Sequence, residues 1–510
     1  MVFSHNIFRI IIVSLSATSG MFCTVSLIFI QPVQSHLTTN LSKYKLVQID
    51  SPPTEQEIET IEQPKEQRVN LTIADAVNLA LQNNRTIKNS YLQRIIDRQQ
   101  LAVAEDVFVP NFTPELFLGF NQRLERDTQE LSLSGNLEVK TPIGGTLEIT
   151  SESLDEGIGI NNLDFRVTFD QPLLRGFGTE INRVPIEVAR LEEGINIFAL
   201  KSTLIATITD TIEAYLSLLQ AQERVKIQQL ALKNAKRQLE IIQVLIDAGR
   251  RAPIELVQSK TDVANREVSV LQAQNRLAQA RLDIIDILDI EQNLQFVATD
   301  IEDAVESITL DQDKLTELAF ANNPEYLQSL KQLQIAKFNL SLAENEKRWD
   351  LDLQVSYGLT TRRDINNDQT DVRAGVRMSR EFGNLSLEQS VERSQVNLER
   401  ANNSLDEARE SLKIELNNRI RDVKFNSQQI ELALDARKLS EQQLENQQEK
   451  LRLGVRGVRL IDVLRFENDL VQAKNRELNA MINYLNALTR LEQTLGITLD
   501  RWNIKINETS

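Results

Sequence analysis

The chain has 510 residues, 41% of them hydrophobic and 25% charged, and its net charge of −16 offers no basic face for phosphates, which excludes nucleic acid as a partner. One cysteine (Cys23) and two histidines (His5 and His36) leave no ordinary ligand set for zinc, haem or an iron–sulfur cluster, so neither metal nor cofactor is expected. Ser–His and Cys–His catalysis are nearly excluded on the same ground, while carboxylate-only chemistry stays open.

In chain order, Arg9 precedes an apolar stretch from Ile10 to Ile30, and Val33-Gln34-Ser35 offers a small-residue cleavage site. Residues 1–35 therefore read as a signal peptide. The stretch also reaches transmembrane length, and a retained anchor is the competing reading. Phe22 stands before Cys23, where lipidation wants a small residue. Residues 36–70 are rich in Thr, Gln, Glu and Pro and read as a flexible extension. No later segment approaches 18 consecutive apolar residues.

Order begins at Leu71-Thr72-Ile73-Ala74-Asp75-Ala76, and the chain then repeats itself. Leu79-Ala80-Leu81-Gln82-Asn83-Asn84 matches Leu318-Ala319-Phe320-Ala321-Asn322-Asn323 at an offset of 239 residues (322 − 83), and the same offset pairs Ala104-Glu105 with Ala343-Glu344 and Gly119 with Gly358. Further on, Gly249-Arg250-Arg251 resembles Gly454-Val455-Arg456, and Leu288-Asp289-Ile290 resembles Leu495-Gly496-Ile497. The organisation expected is a first copy over 71–290, a connector over 291–310, a second copy over 311–497 and a tail over 498–510.

Each copy carries long helical pattern. Ile197, Leu204, Leu218, Val225, Leu232, Leu239 and Ile246 fall on a seven-residue grid broken only by Thr211, and Leu256, Val263, Val270, Leu277 and Ile284 make another. Val391, Leu398, Leu405 and Leu412, then Leu464, Val471, Leu478 and Leu485, do the same in the second copy. Sustained heptads predict coiled-coil helices over 181–248, 253–290, 385–452 and 460–496. The longest would reach about 100 Å, enough to lie beside two shorter helices stacked end to end.

Between the helices the period changes to two. Leu351, Leu353, Val355, Tyr357 and Leu359 alternate with polar residues, as do Val372, Ala374, Val376 and Met378, and Leu163, Phe165, Val167 and Phe169. Less clean strands run over 112–120, 131–140 and 146–150, the last two flanking Pro142-Ile143-Gly144-Gly145. Strands are therefore expected within 111–170 and 350–380. The pattern fits a transmembrane barrel, and it fits a sheet packed on a soluble core. Trp349 suits a membrane-interface girdle or ordinary packing equally.

In this order the features resemble the TolC family of outer-membrane efflux proteins. The matching parts are the Leu71–Asn84 opening, the duplication, the alternation of helices with strands, Gln171-Pro172-Leu173-Leu174-Arg175-Gly176-Phe177-Gly178 after a strand, and the two glycine-marked helical turns. The resemblance covers about 71–500. It implies a mainly α fold with transmembrane β: a homotrimer with a helical α-barrel in the periplasm and a shared 12-stranded β-barrel in the outer membrane of a Gram-negative-type cell. It also implies an exit duct served by a periplasmic adaptor (membrane fusion protein) and an inner-membrane pump of ABC or RND type, as in tripartite efflux or type I secretion. The hairpin over 130–153 departs from a four-strand subunit, either extending the barrel or lying outside it. The resemblance places the periplasmic entrance at the turns Gly249–Glu255 and Gly454–Asp462. Asp462 matches the first aspartate of the family's entrance ring, and Arg465 stands where a second would be. Arg251, Arg456 and Arg459 form ion pairs that hold the tips shut, or are solvated charges capping helix ends. A periplasmic coiled-coil adaptor without a pore accounts for the heptads and not for the strands. A carboxylate hydrolase finds no recognisable acid-pair motif.

Overall fold

The computed structural model describes residues 67–123, 126–155, 162–291, 294–299, 310–362, 367–453 and 459–506. The expected signal peptide and nearly all of the extension lie outside the described residues, as does much of the connector. The end of the extension and the first copy supply β1 (Gln67–Leu71), α1 (Ile73–Asn83), α2 (Arg85–Glu105), β2 (Asn111–Arg123), β3 (Arg126–Lys140), β4 (Thr146–Asp155), β5 (Asn162–Pro172), the single turn α3 (Thr179–Asn182), α4 (Val184–Asp247) and α5 (Ile254–Leu288), and the connector carries β6 (Leu294–Ala298). The second copy supplies α6 (Gln312–Asn322), α7 (Pro324–Glu346), β7 (Asp350–Arg362), β8 (Asn367–Ser379), α8 (Leu385–Arg452) and α9 (Leu460–Leu495), and the tail the short α10 (Thr498–Arg501).

The long helices are those the heptads demand. α4 has 64 residues and α8 has 68, so each spans about 100 Å. α4 pairs with α5 and α8 with α9, and α4 also touches α9. The core is concentrated around Leu200–Val225 of α4, where Leu204, Ile208, Leu216 and Leu218 are fully buried against α1, α9 and β6. Part of α4 is apolar enough on average to cross a membrane. It is a core helix instead, packed on α1, α5, α7 and α9; its polar residues are spaced so that the average is apolar while no unbroken apolar run exists. Thr211, which breaks the grid, is buried and donates its hydroxyl to the Thr207 carbonyl at 2.7 Å, so the seam tolerates it.

Beside this core, β1 and β6 form a two-stranded parallel sheet. Tyr215 donates from its hydroxyl to the carbonyls of Leu71 (3.1 Å) and Thr299 (2.8 Å), and the buried Gln222 amide bonds both the N–H and the carbonyl of Ala298. Buried polar atoms on α4 thus satisfy the backbone of the strands they face. Thr72 caps α1 with Asp75, whose carboxyl is held below the usual range by the Thr72 hydroxyl and then by its backbone N–H.

The repeated Asn-Asn motif has a mechanical reason. Asn84 accepts from the N–H groups of Thr86 and Ile87 at the start of α2, and donates to the Ile287 carbonyl at the end of α5 (2.9 Å). Arg85 and Asp289 pair across the same joint at 2.9 Å. In the second copy Asn323 accepts from Tyr326 N–H at the start of α7 and donates to the Thr494 carbonyl in α9. Each asparagine caps one helix and ties it to the end of another, so α2 stacks on α5 and α7 on α9. The left-handed residues ending α5 and α9 are Asp289 (φ 51°) and Gly496 (φ 73°). A Cβ on Gly496 would meet the Asn322 carbonyl at 2.4 Å, so the second joint is closed around glycine.

At the other end of the helices, six antiparallel strands form one sheet in the order β2-β3-β4-β5-β7-β8. The register puts most of the apolar residues of the six strands on one face, Phe117 of β2 being an exception. Across it run Phe112 opposite Leu137, Leu137 opposite Ile149, Ile149 opposite Val167, Val167 opposite Tyr357, and Tyr357 opposite Val372. The other face carries Glu138, Glu148, Arg166, Asp352, Arg373 and Arg377. The apolar face is open: Phe112, Leu116, Val372 and Val376 are each more than 60% exposed, which a soluble core sheet would not allow. Where β7 and β8 meet the helices, Trp349 stacks edge-on to Phe382, and the Arg380 guanidinium lies 5.1 Å from the Trp349 ring.

Candidate functional site at the helix tips

α4 ends as a helix needing a reversal must. Gly249 takes φ 70°, Gly249 N–H bonds the Ile246 carbonyl and Arg250 N–H the Leu245 carbonyl, and α5 starts at Ile254 just after Pro253. A side chain at Gly249 would meet nothing within 4 Å, so the glycine serves the backbone angle alone. Arg251 approaches Glu255 one turn on, at 3.6 Å, with both side chains about one-fifth exposed. This is an ion pair inside one tip.

The tip of the second copy lies against the first. Ile242 and Ile246 of α4 pack with Leu460 and Leu464 of α9 in a small separate cluster. Asp462 accepts from the N–H of Arg459 (3.1 Å), which caps α9, and the Arg459 guanidinium stands 3.5 Å from the same carboxylate. The Arg459–Asp462 pair, like Arg251–Glu255, lies within one tip. Arg465 is exposed, one turn further along α9. Gly454 and Arg456 lie outside the described residues.

Sequence reasoning missed what lies behind the tips. Arg266 of α5 is 6% exposed, pairs with Asp262 at 3.5 Å and donates to the Asn468 amide oxygen of α9 at 2.7 Å. Glu467, next in chain to Asn468 and 8% exposed, accepts from the Gln448 amide of α8 at 3.5 Å. Burial, and next the nearby Asp262 carboxylate, push the Glu467 carboxyl up to about 6, with Arg266 and Gln448 offsetting them only in part. Three helices from both coiled coils meet in one polar cluster around the buried Arg266 and Glu467. The available signal was placement on the seams: Ser259, Arg266, Ala273 and Ala280 share one seven-residue row of buried positions, and Glu467 stands seven after buried Leu460. A charge on a heptad seam is the anomaly to look for.

Among the described residues, no group of three or more His, Cys, Asp or Glu could hold a metal ion. The tips and the polar cluster offer charge, helix caps and contacts between the coils.

Residues 76–288 match the family model of the outer membrane efflux protein. The matched segment runs from α1 to the end of α5 and so contains four of the six sheet strands and the first tip. The chain is similar in fold to the outer-membrane channel OprN (TM-score 0.64, 17% identity, 83% of this chain and 89% of that one). It is similar to the MtrE outer membrane channel of Neisseria gonorrhoeae in its open state (0.64, 13%, 83% and 88%) and to the CmeC outer membrane channel of Campylobacter jejuni (0.60, 14%, 83% and 85%). No curated protein sequence matches the chain. The fold is the TolC-like one, mainly helical with an antiparallel sheet.

Proposed function

We propose that this chain is the outer-membrane exit duct of a tripartite efflux or type I secretion system: a passive homotrimeric channel, filled by an inner-membrane pump of ABC or RND type through a periplasmic adaptor. The observation that carries the reading is the six-strand sheet, apolar and open on one face and charged on the other, continuous with helices about 100 Å long. The apolar face meets outer-membrane lipid and the charged face a water-filled lumen. Trp349, Phe382 and Arg380 then lie where lipid gives way to water.

Six strands are too few to close a membrane barrel, and the open edges β2 and β8 cannot face lipid, so copies of the chain join edge to edge. The helices support the same assembly. α7 packs lengthwise between α8 and α4, whereas its counterpart α2 packs lengthwise on α4 and, among the described residues, meets α5 only end to end. Tyr91, Leu92, Ile95 and Ile96 of α2 are exposed. By the repeat, that face belongs on α8 of a neighbouring copy. Three copies place six equivalent helical units around one axis. We place the periplasmic entrance at the paired tips, with Glu255 and Asp462 as its acidic groups, and assign the same tips to the adaptor. The pore-free adaptor reading leaves the lipid-type face of the sheet without a purpose.

The test is single-channel recording of the detergent-purified protein in a planar bilayer, beside Asp462→Asn. Discrete long-lived steps are expected, with weaker cation preference in the variant. A protein that stays soluble and monomeric without detergent overturns the duct. Unchanged selectivity in a folded Asp462→Asn channel removes Asp462 from the constriction.

A further inference from the structure

Building on the duct reading, we infer that the membrane wall of the assembled channel has eighteen strands, six from each of three copies, rather than the twelve that the family resemblance implies. The additional β3–β4 hairpin is part of the wall. Three observations carry this.

The first is the ladder. β3 and β4 are not appended at a rim: they stand between β2 and β5. Among the described residues β2 bonds only β3, along thirteen paired positions, and β4 bonds β5 along nine. Take the hairpin away and β2 loses the one partner it has among the described residues.

The second is height. The turn between β3 and β4 lies at the base of the sheet, level with the segment that leads from β5 into α4. Gly178 N–H bonds the Ile143 carbonyl (3.1 Å), and the buried Gln171 amide reaches the same carbonyl at 3.4 Å. A Cβ on Gly144 would strike the Gly176 carbonyl at 2.2 Å, so the turn is fitted closely against that segment. β3 and β4 leave this base with fifteen and ten residues, against eleven to thirteen in the other strands. Each is long enough to cross an outer membrane.

The third is sidedness. Leu133, Leu137 and Val139 on β3 and Leu147 and Ile149 on β4 continue the apolar face. On the opposite face Glu138 stands directly across from Glu148. Two facing carboxylates are costly against lipid and ordinary beside water, so that face lines the lumen. A hairpin lying outside the wall would have no reason to keep the wall's alternation.

Barrel diameter grows nearly in proportion to strand number, so eighteen strands make an exit about one and a half times as wide as twelve. Such a wall leaves an aqueous channel of porin width. The outer-membrane segment then passes cargo too bulky for a twelve-strand exit, and size selection falls to the helical tips.

The test uses full-length protein with Cys23→Ser, reconstituted in liposomes, and single cysteines at Leu137→Cys, Ile149→Cys, Glu138→Cys and Glu148→Cys. Val376→Cys and Arg377→Cys on β8 serve as references. Each is labelled with a membrane-impermeant maleimide, or with a bimane fluorophore read against nitroxide-labelled phospholipid. The expected result is lipid quenching at 137, 149 and 376, several-fold faster aqueous labelling at 138, 148 and 377, and a native mass of three chains. Alternation at β8 with equal aqueous labelling at all four hairpin positions puts the hairpin outside the wall and overturns the inference while the duct stands. Absence of quenching at 376 as well overturns the duct reading itself. A native mass other than three chains overturns the count.

Discussion

The two halves of α4 are built differently, although one heptad pattern runs through both. Between Leu200 and Val225 the helix is enclosed, with Leu204, Ile208, Tyr215, Leu216 and Leu218 at 4% exposure or less. Beyond Val225 the buried positions are Ala231, Ala235 and Ile242, while Leu232 and Leu239 of the expected grid are only half-buried. The enclosed half is held by long side chains and by hydrogen bonds to two strands. The tip half is held by small side chains and one four-residue apolar cluster, with the polar cluster around Arg266 and Glu467 joining the neighbouring helices α5, α8 and α9. The difference teaches where the molecule is anchored and where it is free to rearrange: regions with few apolar contacts open at lower free-energy cost.

The largest effect should come from breaking the anchored half. Leu218→Ala should cost about 3–4 kcal/mol, as for a fully buried leucine, whereas Leu239→Ala in the tip half should cost about 1 kcal/mol. Thermal unfolding of the two variants in detergent checks the contrast, and equal losses would erase it. Next in size is Glu467. Its carboxyl lies at about 6 when folded against 4.5 ordinarily, so the stability linked to it is complete below about 4.5 and is lost as pH rises through 6. Glu467→Gln should match the parent at pH 4 and exceed it by roughly 2 kcal/mol at pH 8. Melting temperatures followed across that range decide the matter, and a constant offset at all pH values would show that the carboxyl is not the cause. The smallest effect is at a joint. Asn323→Ala should cost about 1 kcal/mol and raise hydrogen exchange in the first turn of α7, leaving the tips unaffected.

Much of this was legible because helix and strand periods are local. The helix expected over 181–248 runs from Val184 to Asp247, and the one over 385–452 from Leu385 to Arg452. What stayed hidden depends on partners distant in sequence. The place of the hairpin is set by β2 pairing with β3 and by β5 pairing with β7, some 190 residues along the chain, and no window around residues 130–153 contains that information. Asp462 was singled out by the family resemblance, but its cap on Arg459 is a matter of geometry. The Arg266–Asn468 contact joins α5 to α9 across 202 residues, and only the seam placement of the arginine hinted at it. Asn84 and Asn323 were found as a repeat before they had a role. Their double use as cap and tie appears only when the helices are stacked.

Those joints have a consequence for how load passes along the molecule. The first lies beside the middle of α4, where Tyr215 holds Leu71, and the second beside the middle of α8, where Gln312 meets Asn417. In carpentry this is a lap joint, in which every break in one timber is covered by an unbroken one. A twist or bend applied at the tips is therefore carried past each splice by a continuous rod, and reaches the sheet as a rigid displacement.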